Sequence, residues 1–202
     1  MPVKQSLPYK DDLYFITFTC YGWLPLIELT QGYDMVYKWF DYLKSKGHYV
    51  RGYVVMPNHV HALIGFQNSE KPLNKIVGDG KRFMAYEIIK RLHRQGQTTL
   101  LAQLQAIVGS VDRQRGKRHE VWVHSFDWKA CRGRTFIQQK LTYMHNNPCR
   151  GKWNLSAGAA DDPHSSAGFY LTGVHGGVSG NPCGNIGRRE RNRMTLSPRH
   201  RT

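Results

Sequence analysis

The chain has 202 residues, with 29 lysines and arginines against 14 aspartates and glutamates and a formal net charge of +15. This length allows one domain with a hydrophobic core, and the excess of positive charge predicts a nucleic acid as partner. The amino-terminal residues lack the apolar core of a signal peptide, and no apolar run reaches the roughly 20 residues that span a bilayer, so we expect a soluble, cytoplasmic protein. The four cysteines form no CxxC pair, which argues against a zinc ribbon or a dithiol redox site.

The first half of the chain predicts a strand, a helix and two antiparallel strands, at residues 13–21, 31–46, 48–56 and 59–66. The first strand is aromatic and β-branched, with alternating threonines. The helix has apolar side chains at helical spacing and is followed by Gly47, a common helix stop. Between the two later strands, Pro57 and Asn58 mark a turn.

The second half predicts a helix, a helical insertion, a short strand or extended segment, and a last helix, at residues 81–95, 97–118, 120–126 and 135–147. Gly78 and Gly80 weaken the start of the first of these helices, so we place it from Lys81 onward. Pro148 ends the last helix. This order favours an α+β fold, an antiparallel sheet covered by helices in the ferredoxin-like or RRM-like manner. We expect one domain over residues 1–172 and a disordered basic tail over 173–202.

The strongest local signal for chemistry is the pair His59 and His61 in the third strand. Alternate residues of a strand share a face, so both imidazoles should project together while Val60 enters the core. Two such imidazoles can hold a divalent cation and leave positions open to phosphate and water. The pattern is common, however, and taken alone it more often marks two ordinary surface or hydrogen-bonded histidines.

Tyr143 and Asn147 stand four residues apart in the last predicted helix and should therefore share one of its faces. An asparagine carbonyl oxygen suits Mg²⁺ or Mn²⁺, which makes Asn147 a candidate third ligand beside a tyrosine nucleophile. A packing tyrosine followed by an asparagine cap is the alternative. His145, on the opposite side of this helix, is a less favoured ligand, and His124 stays open as another.

The segments YFITFTCYGWLPL, GYVVMPNHVHALI, YMHNNPCRGKW and PHSSAGFY occur in this order over roughly residues 10–170. Together they resemble the HUH single-tyrosine transposases, above all the REP-associated tyrosine transposases. The resemblance implies that His59, His61 and Asn147 bind Mg²⁺ or Mn²⁺ and that Tyr143 is the nucleophile. It further implies cleavage and rejoining of single-stranded DNA beside a hairpin through a 5′-phosphotyrosine, by a monomer or a homodimer that associates with the nucleoid when it is bound to DNA.

Basic residues near these segments are candidate phosphate contacts, namely Lys81, Arg82, Arg132, Arg134 and Lys140. Unpaired bases could stack on tryptophans outside the first helix, namely Trp23, Trp122, Trp128 and Trp153, although core packing is the more common role of each. A nucleic-acid-binding module without catalysis is the alternative function. A relaxase or rolling-circle initiator with a helicase domain is disfavoured because the chain has no P-loop pattern.

Overall fold

The computed structural model describes residues 12–67, 71–151 and 153–173. Its strands β1 to β4 lie at Asp12–Thr19, Tyr49–Met56, His59–Phe66 and Asp127–Ala130. Its α-helices α1 to α7 lie at Leu26–Leu29, Tyr33–Ser45, Leu73–Arg94, Thr98–Ala106, Ser110–Gln114, Arg134–His145 and Ala167–Thr172. Short 3-10 turns lie at Tyr21–Trp23 and Ala159–Asp161. The predicted tail falls outside the described residues except for Gly173.

The four strands form one antiparallel sheet with the order β2-β3-β1-β4. The helices α1 and α2 join β1 to β2, a turn joins β2 to β3, and helices again join β3 to β4, which is the ferredoxin-like arrangement. The predicted α+β fold class is therefore confirmed. In the pairing of β1 with β3, Thr19 lies opposite His59 and Thr17 lies opposite His61.

Helices cover both faces of the sheet. On one face, alternate β1 residues such as Tyr14, Ile16 and Phe18 pack in the main core with side chains of α2 and α3. On the other face, Phe15 packs in a smaller core that includes Leu63 and the α6 residues Leu141 and Met144. Neighbouring residues of a strand point to opposite faces of the sheet. Side chains of β1 and β3 therefore lie alternately on the face covered by α6, here called the α6 face, and on the face covered by α2 and α3.

The helix α3 begins at Leu73, not at Lys81 as its glycines had suggested. A Cβ on Gly80 would lie 2.3 Å from Nε1 of Trp39 on α2, so the glycine lets the two helices approach closely. Gly80 is thus part of the helix packing, and its poor helix propensity is offset by burial of residues such as Ile76 and Val77 before it.

The segment 120–126, predicted as a short strand or an extended segment, is not part of a strand. The fourth strand lies just after it, at Asp127–Ala130, and only Trp122 of the earlier segment makes a bridge to the sheet, opposite Cys20. The segment predicted as a helical insertion contains α4 and α5, and Leu101 and Leu104 of α4 enter the main core. This segment therefore contributes to the hydrophobic core.

A non-helical segment near residue 165 runs along the outer edge of β2. The Val55 N–H donates to the His164 carbonyl at 2.9 Å, the Ser166 N–H donates to the Tyr53 carbonyl at 2.9 Å, and Ser165 bridges to Val54. This edge of the sheet is thus paired. Among the helices of the described ranges, none has the length and apolar character needed to cross a bilayer.

Candidate active site

His59 and His61 lie side by side on the α6 face of the sheet. Both are buried, and their ring centroids are 4.7 Å apart. Val60 between them is fully buried in the main core on the opposite face. The alternation of β3 therefore brings the two imidazoles together.

Asn58 holds the ring of His59 in one orientation. Its Nδ2 donates to the Trp23 carbonyl at 3.1 Å, which turns its Oδ1 towards His59, and Nδ1 of His59 lies 2.7 Å from that oxygen. Because a carbonyl oxygen only accepts, Nδ1 of His59 carries the proton and Nε2 keeps its lone pair. A fixed tautomer of this kind is the usual second-shell arrangement of a metal-binding histidine.

Thr17 and Phe15 of β1 hold the ring of His61. The Thr17 hydroxyl is hydrogen-bonded to Nδ1 of His61 at 2.7 Å, and the Phe15 ring stacks on the imidazole with a centroid distance of 5.4 Å. Both contacts follow from the strand register, since Thr17 lies directly opposite His61. As at His59, Nδ1 is occupied by a hydrogen bond and Nε2 is the remaining ring nitrogen.

The burial of this pair keeps both imidazoles neutral. Burial lowers the pKa of His59 to about 4. Burial, and then the neighbouring His59 and Lys140, lower the pKa of His61 to about 3. The neutral imidazole is the form that binds a metal ion.

Tyr143 of α6 lies beside this pair. Its ring centroid is 5.3 Å from that of His61 and 6.1 Å from that of Phe15, yet the side chain is 52% exposed. One helical turn earlier, the Lys140 ammonium lies 5.9 Å from the Tyr143 ring and 5.0 Å from the Phe15 ring. The predicted nucleophile and two predicted metal ligands thus meet on one face beside a lysine, with the tyrosine open to solvent and the histidines buried.

Asn147 lies outside the helix that was predicted to carry it. The helix α6 ends at His145, and Asn147 follows in a turn in which its N–H donates to the Met144 carbonyl at 3.1 Å. Helical spacing therefore does not relate Asn147 to Tyr143. The proposal of Asn147 as a ligand rests on the resemblance alone.

The two alternative histidines are placed differently. His145 is buried, with Nε2 hydrogen-bonded to the Ser166 hydroxyl at 2.8 Å, and its ring contacts Tyr170 of α7. It therefore belongs to the packing of α6 against the chain that follows. His124 is exposed, in the loop before β4.

A divalent ion fits the chemistry of this histidine pair, because the two side chains lie on one face of the sheet and each neutral imidazole has one unprotonated ring nitrogen. Within residues 12–67, 71–151 and 153–173, however, no group of three or more His, Cys, Asp and Glu side chains is arranged to hold a metal ion. A ligand set built on His59 and His61 would therefore need a neutral oxygen donor, such as the Asn147 amide, together with water or phosphate oxygens.

The candidate phosphate contacts are dispersed. Lys81 and Arg82 lie on α3, across the sheet from Tyr143, and Lys81 is buried with its ammonium donating to the Val123 and Ser125 carbonyls at 2.9 and 3.1 Å. This position differs from the exposed helix start that we expected for Lys81. Arg82 forms an ion pair with Asp79.

The other three basic candidates lie on the α6 side. Arg132 is exposed and forms an ion pair with Asp12 at 2.9 Å, and Arg134 is exposed at the first residue of α6. Among these five residues, Lys140 is the one whose ammonium lies over the ring of Tyr143. The α6 helix is therefore the element that presents basic side chains on the same face as the histidine pair.

Thr17 and Asn58 are site residues that the sequence analysis did not identify. The alternation of Thr17 and Thr19 along the first strand was visible, but their pairing with the histidines depends on which strands are neighbours. Asn58 was interpreted only as a turn residue. Its role depends on a contact with Trp23, 35 positions earlier in the chain.

The fold resembles that of a known transposase. A structure described as the REP-associated tyrosine transposase bound to a REP hairpin aligns with a TM-score of 0.56 and 16% identity, over 89% of this chain and 93% of that chain. The chain shares the fold of a tyrosine transposase. The fold similarity that the sequence motifs predicted is thereby confirmed.

A proposed transposase from Deinococcus radiodurans R1 aligns with 16% identity over 71% of this chain and 97% of that chain. Its TM-score of 0.35 is too low to indicate a common fold. No protein-family model matches the chain. No curated protein matches it either.

Proposed function

We propose that the protein is a metal-dependent tyrosine transposase, which cleaves and rejoins single-stranded DNA beside a hairpin. The observation that carries this proposal is the exposed Tyr143 ring, 5.3 Å from the ring of His61 and on the same face as His59. The fold similarity supports it, because the transposase with that fold is described as bound to a REP hairpin. Because about half of the Tyr143 side chain is exposed, hydrophobic packing does not account for a tyrosine beside two buried and oriented histidines.

In the proposed cleavage step, the Tyr143 hydroxyl oxygen attacks the phosphorus of the scissile phosphodiester. The new bond joins this oxygen to phosphorus, and the bond from phosphorus to the 3′ oxygen breaks. The phenol proton passes to water, and the leaving 3′ oxygen takes up a proton. The products are a 5′-phosphotyrosine and a free 3′-OH. Since the phosphodiester energy is kept in the phosphotyrosine, a second 3′-OH can attack it and join a new strand without a nucleotide cofactor.

His59, His61 and Asn147 are the residues that would hold Mg²⁺ or Mn²⁺. Such an ion, when bound, polarises phosphate oxygens as a Lewis acid. The hydrogen bond that Asn58 accepts from His59, and the one between Thr17 and His61, orient the two imidazoles before any ligand arrives, which reduces the reorganisation needed on binding. Lys140, one turn before Tyr143, places a positive charge where a phosphate would sit beside the tyrosine.

The test uses full-length wild-type protein, Tyr143→Phe and a matched control, Tyr86→Phe. Tyr86 is another exposed tyrosine, 64% accessible, on the helix α3 that covers the opposite face of the sheet. Each protein is incubated with Mg²⁺ or Mn²⁺ and labelled single-stranded hairpins from the flanks of the gene, and covalent products are separated on a denaturing gel.

We expect wild-type protein and Tyr86→Phe to form a protein-linked DNA band that is absent with Tyr143→Phe and with a chelator. If hairpins bind but no covalent band forms with either metal, the nuclease proposal fails and a binding module without catalysis replaces it. A covalent band that persists with Tyr143→Phe would contradict the assignment of the nucleophile.

A further inference from the structure

Trp23 differs from the other tryptophans in its exposure. Trp39 and Trp122 are buried, and Trp128 and Trp153 pack partly buried against the two cores. Trp23 is 60% exposed, although an indole is among the side chains with the most to gain from burial. The sequence did not distinguish Trp23 from Trp122, Trp128 and Trp153, whereas the structure leaves Trp23 open to solvent.

The backbone of Trp23 is held in an unfavourable conformation. Its φ of +58° lies in the left-handed region, which a bulky side chain rarely adopts, and Gly22 before it has φ +57°. The conformation is fixed at both sides of the residue, since the Trp23 N–H donates to the Cys20 carbonyl at 3.1 Å and its carbonyl accepts from Asn58. Backbone strain that the surroundings enforce is concentrated at functional sites.

Trp23 also adjoins the histidine pair. Its ring centroid lies 5.9 Å from that of His59, at an interplanar angle of 74°. The same Asn58 side chain bonds the Trp23 carbonyl and orients the His59 ring. The same side chain therefore holds the backbone of Trp23 and the ring of His59, and Trp23 and Tyr143 flank the pair as neighbours of His59 and of His61 respectively.

We propose that Trp23 is a stacking platform for one unpaired DNA base beside the phosphate held at His59 and His61. The inference rests on the proposed function for the position of that phosphate. Every base has a π-face, so an exposed indole favours single-stranded over duplex DNA without selecting a sequence. Trp23 thereby helps to position the strand that Tyr143 attacks, and it takes no part in the bond changes.

The first experiment measures binding of fluorescein-labelled oligothymidine by anisotropy, with a chelator present, to full-length wild-type protein, Trp23→Ala, Trp23→Phe and Phe83→Ala. Phe83 is the matched control, an aromatic side chain 66% exposed on α3 across the sheet. We expect the Kd to rise about 5- to 150-fold in Trp23→Ala and to change little in the other two variants. The single-strand preference over a duplex with oligoadenosine should fall in Trp23→Ala.

The second experiment does not require a variant that folds. Oligothymidine carrying 5-iodouracil is irradiated with wild-type protein, and crosslinked peptides are identified by mass spectrometry. A crosslink at Trp23 that disappears when the oligomer is annealed supports the proposal. Any of three results overturns the stacking proposal. The first is that Trp23→Ala, with an unchanged Tm that shows it is folded, binds oligothymidine like the wild type. The others are that wild-type protein does not bind oligothymidine and that no crosslink maps to Trp23.

The two proposals fail separately. If Trp23→Ala binds oligothymidine like the wild type while the covalent band still forms, only the stacking proposal is overturned. Absence of the covalent band, with the Trp23 effect and the crosslink present, overturns only the nuclease mechanism and leaves Trp23 as part of a single-strand binding surface.

Discussion

The ring of Tyr143 on α6 lies 5.3 Å from the ring of His61 on β3, at an interplanar angle of 66°. The contact depends on α6 packing closely over the sheet. A Cβ at Gly52 of β2 would lie 2.7 Å from side-chain atoms of both Leu141 and Met144, so the absence of a side chain there lets α6 pack closely on the sheet. The position of the candidate nucleophile thus depends on a residue of a different strand from the one that carries the histidines.

Asn58→Ala should weaken the site and the fold together. The substitution removes the acceptor for His59 and the donor to the Trp23 carbonyl, both in a buried position. We expect a loss of about 1–3 kcal/mol in the free energy of unfolding, measured with urea. Mn²⁺ affinity, measured by calorimetry, should fall by about 10- to 100-fold. Asn74→Ala, at an exposed residue of α3, is the control. Unchanged metal affinity in a folded Asn58→Ala protein would contradict the orienting role.

Gly80→Ala and Gly78→Ala should change stability in opposite directions. The added methyl group at Gly80 would meet Nε1 of Trp39 at 2.3 Å, whereas at Gly78 no atom lies within 4 Å. We expect Gly80→Ala to destabilise the protein by about 1–3 kcal/mol. Gly78→Ala should stabilise it by about 0.5–1 kcal/mol through higher helix propensity. Thermal unfolding of both variants measures these two changes in stability. An equal effect of the two substitutions would exclude close packing of α3 against α2 as the reason for the glycine at position 80.

Lys140→Met should reduce the salt dependence of DNA binding. If the ammonium beside Tyr143 neutralises one phosphate, the slope of log Kd against log salt should fall by about 0.7–1. The control Lys90→Met removes an ammonium from α3, across the sheet, where Lys90 pairs with Glu87. Titrations of labelled single-stranded DNA at several salt concentrations give both slopes. Equal slopes for wild type and Lys140→Met would show that Lys140 contacts no phosphate.

Acid should destabilise the protein through its buried histidines. Burial lowers the pKa of His145 to about 4 and also lowers the pKa of His164. Between these values and the unfolded value of about 6.5, the unfolded chain binds more protons, so the free energy of unfolding falls as the pH falls. One unit below 6.5, the loss is about 1 kcal/mol for each histidine that stays neutral.

Urea unfolding with chelator at about pH 7.5 and about pH 5.5 measures this loss. His145→Gln keeps an amide beside Ser166 and should show a smaller pH dependence than wild type. His124→Gln, at an exposed position, should show the same pH dependence as wild type. A pH dependence that is the same in all three proteins would show that His145 is not the group responsible.

Regular, strongly patterned elements were predictable from the sequence. Strand β3 was predicted with its observed bounds, and its alternation placed His59 and His61 on one face. The four-residue strand β4 was misplaced because its alternation is too short to recognise. Lys81 was expected at the surface because charge is normally exposed, and its burial depends on two carbonyls more than 40 positions away. The contacts that orient the imidazoles likewise come from other parts of the chain.

The pairing along β2 bears on how two copies of the chain could associate. The Val55 N–H and the Tyr53 carbonyl point outward from the sheet, and the segment around Ser165 already occupies both. A second copy could extend the sheet at this border only by displacing that segment, and then only with loss of its hydrogen bonds. A homodimer that preserves this fold would have to form through side chains on its helices or loops, or at the opposite border beside β4.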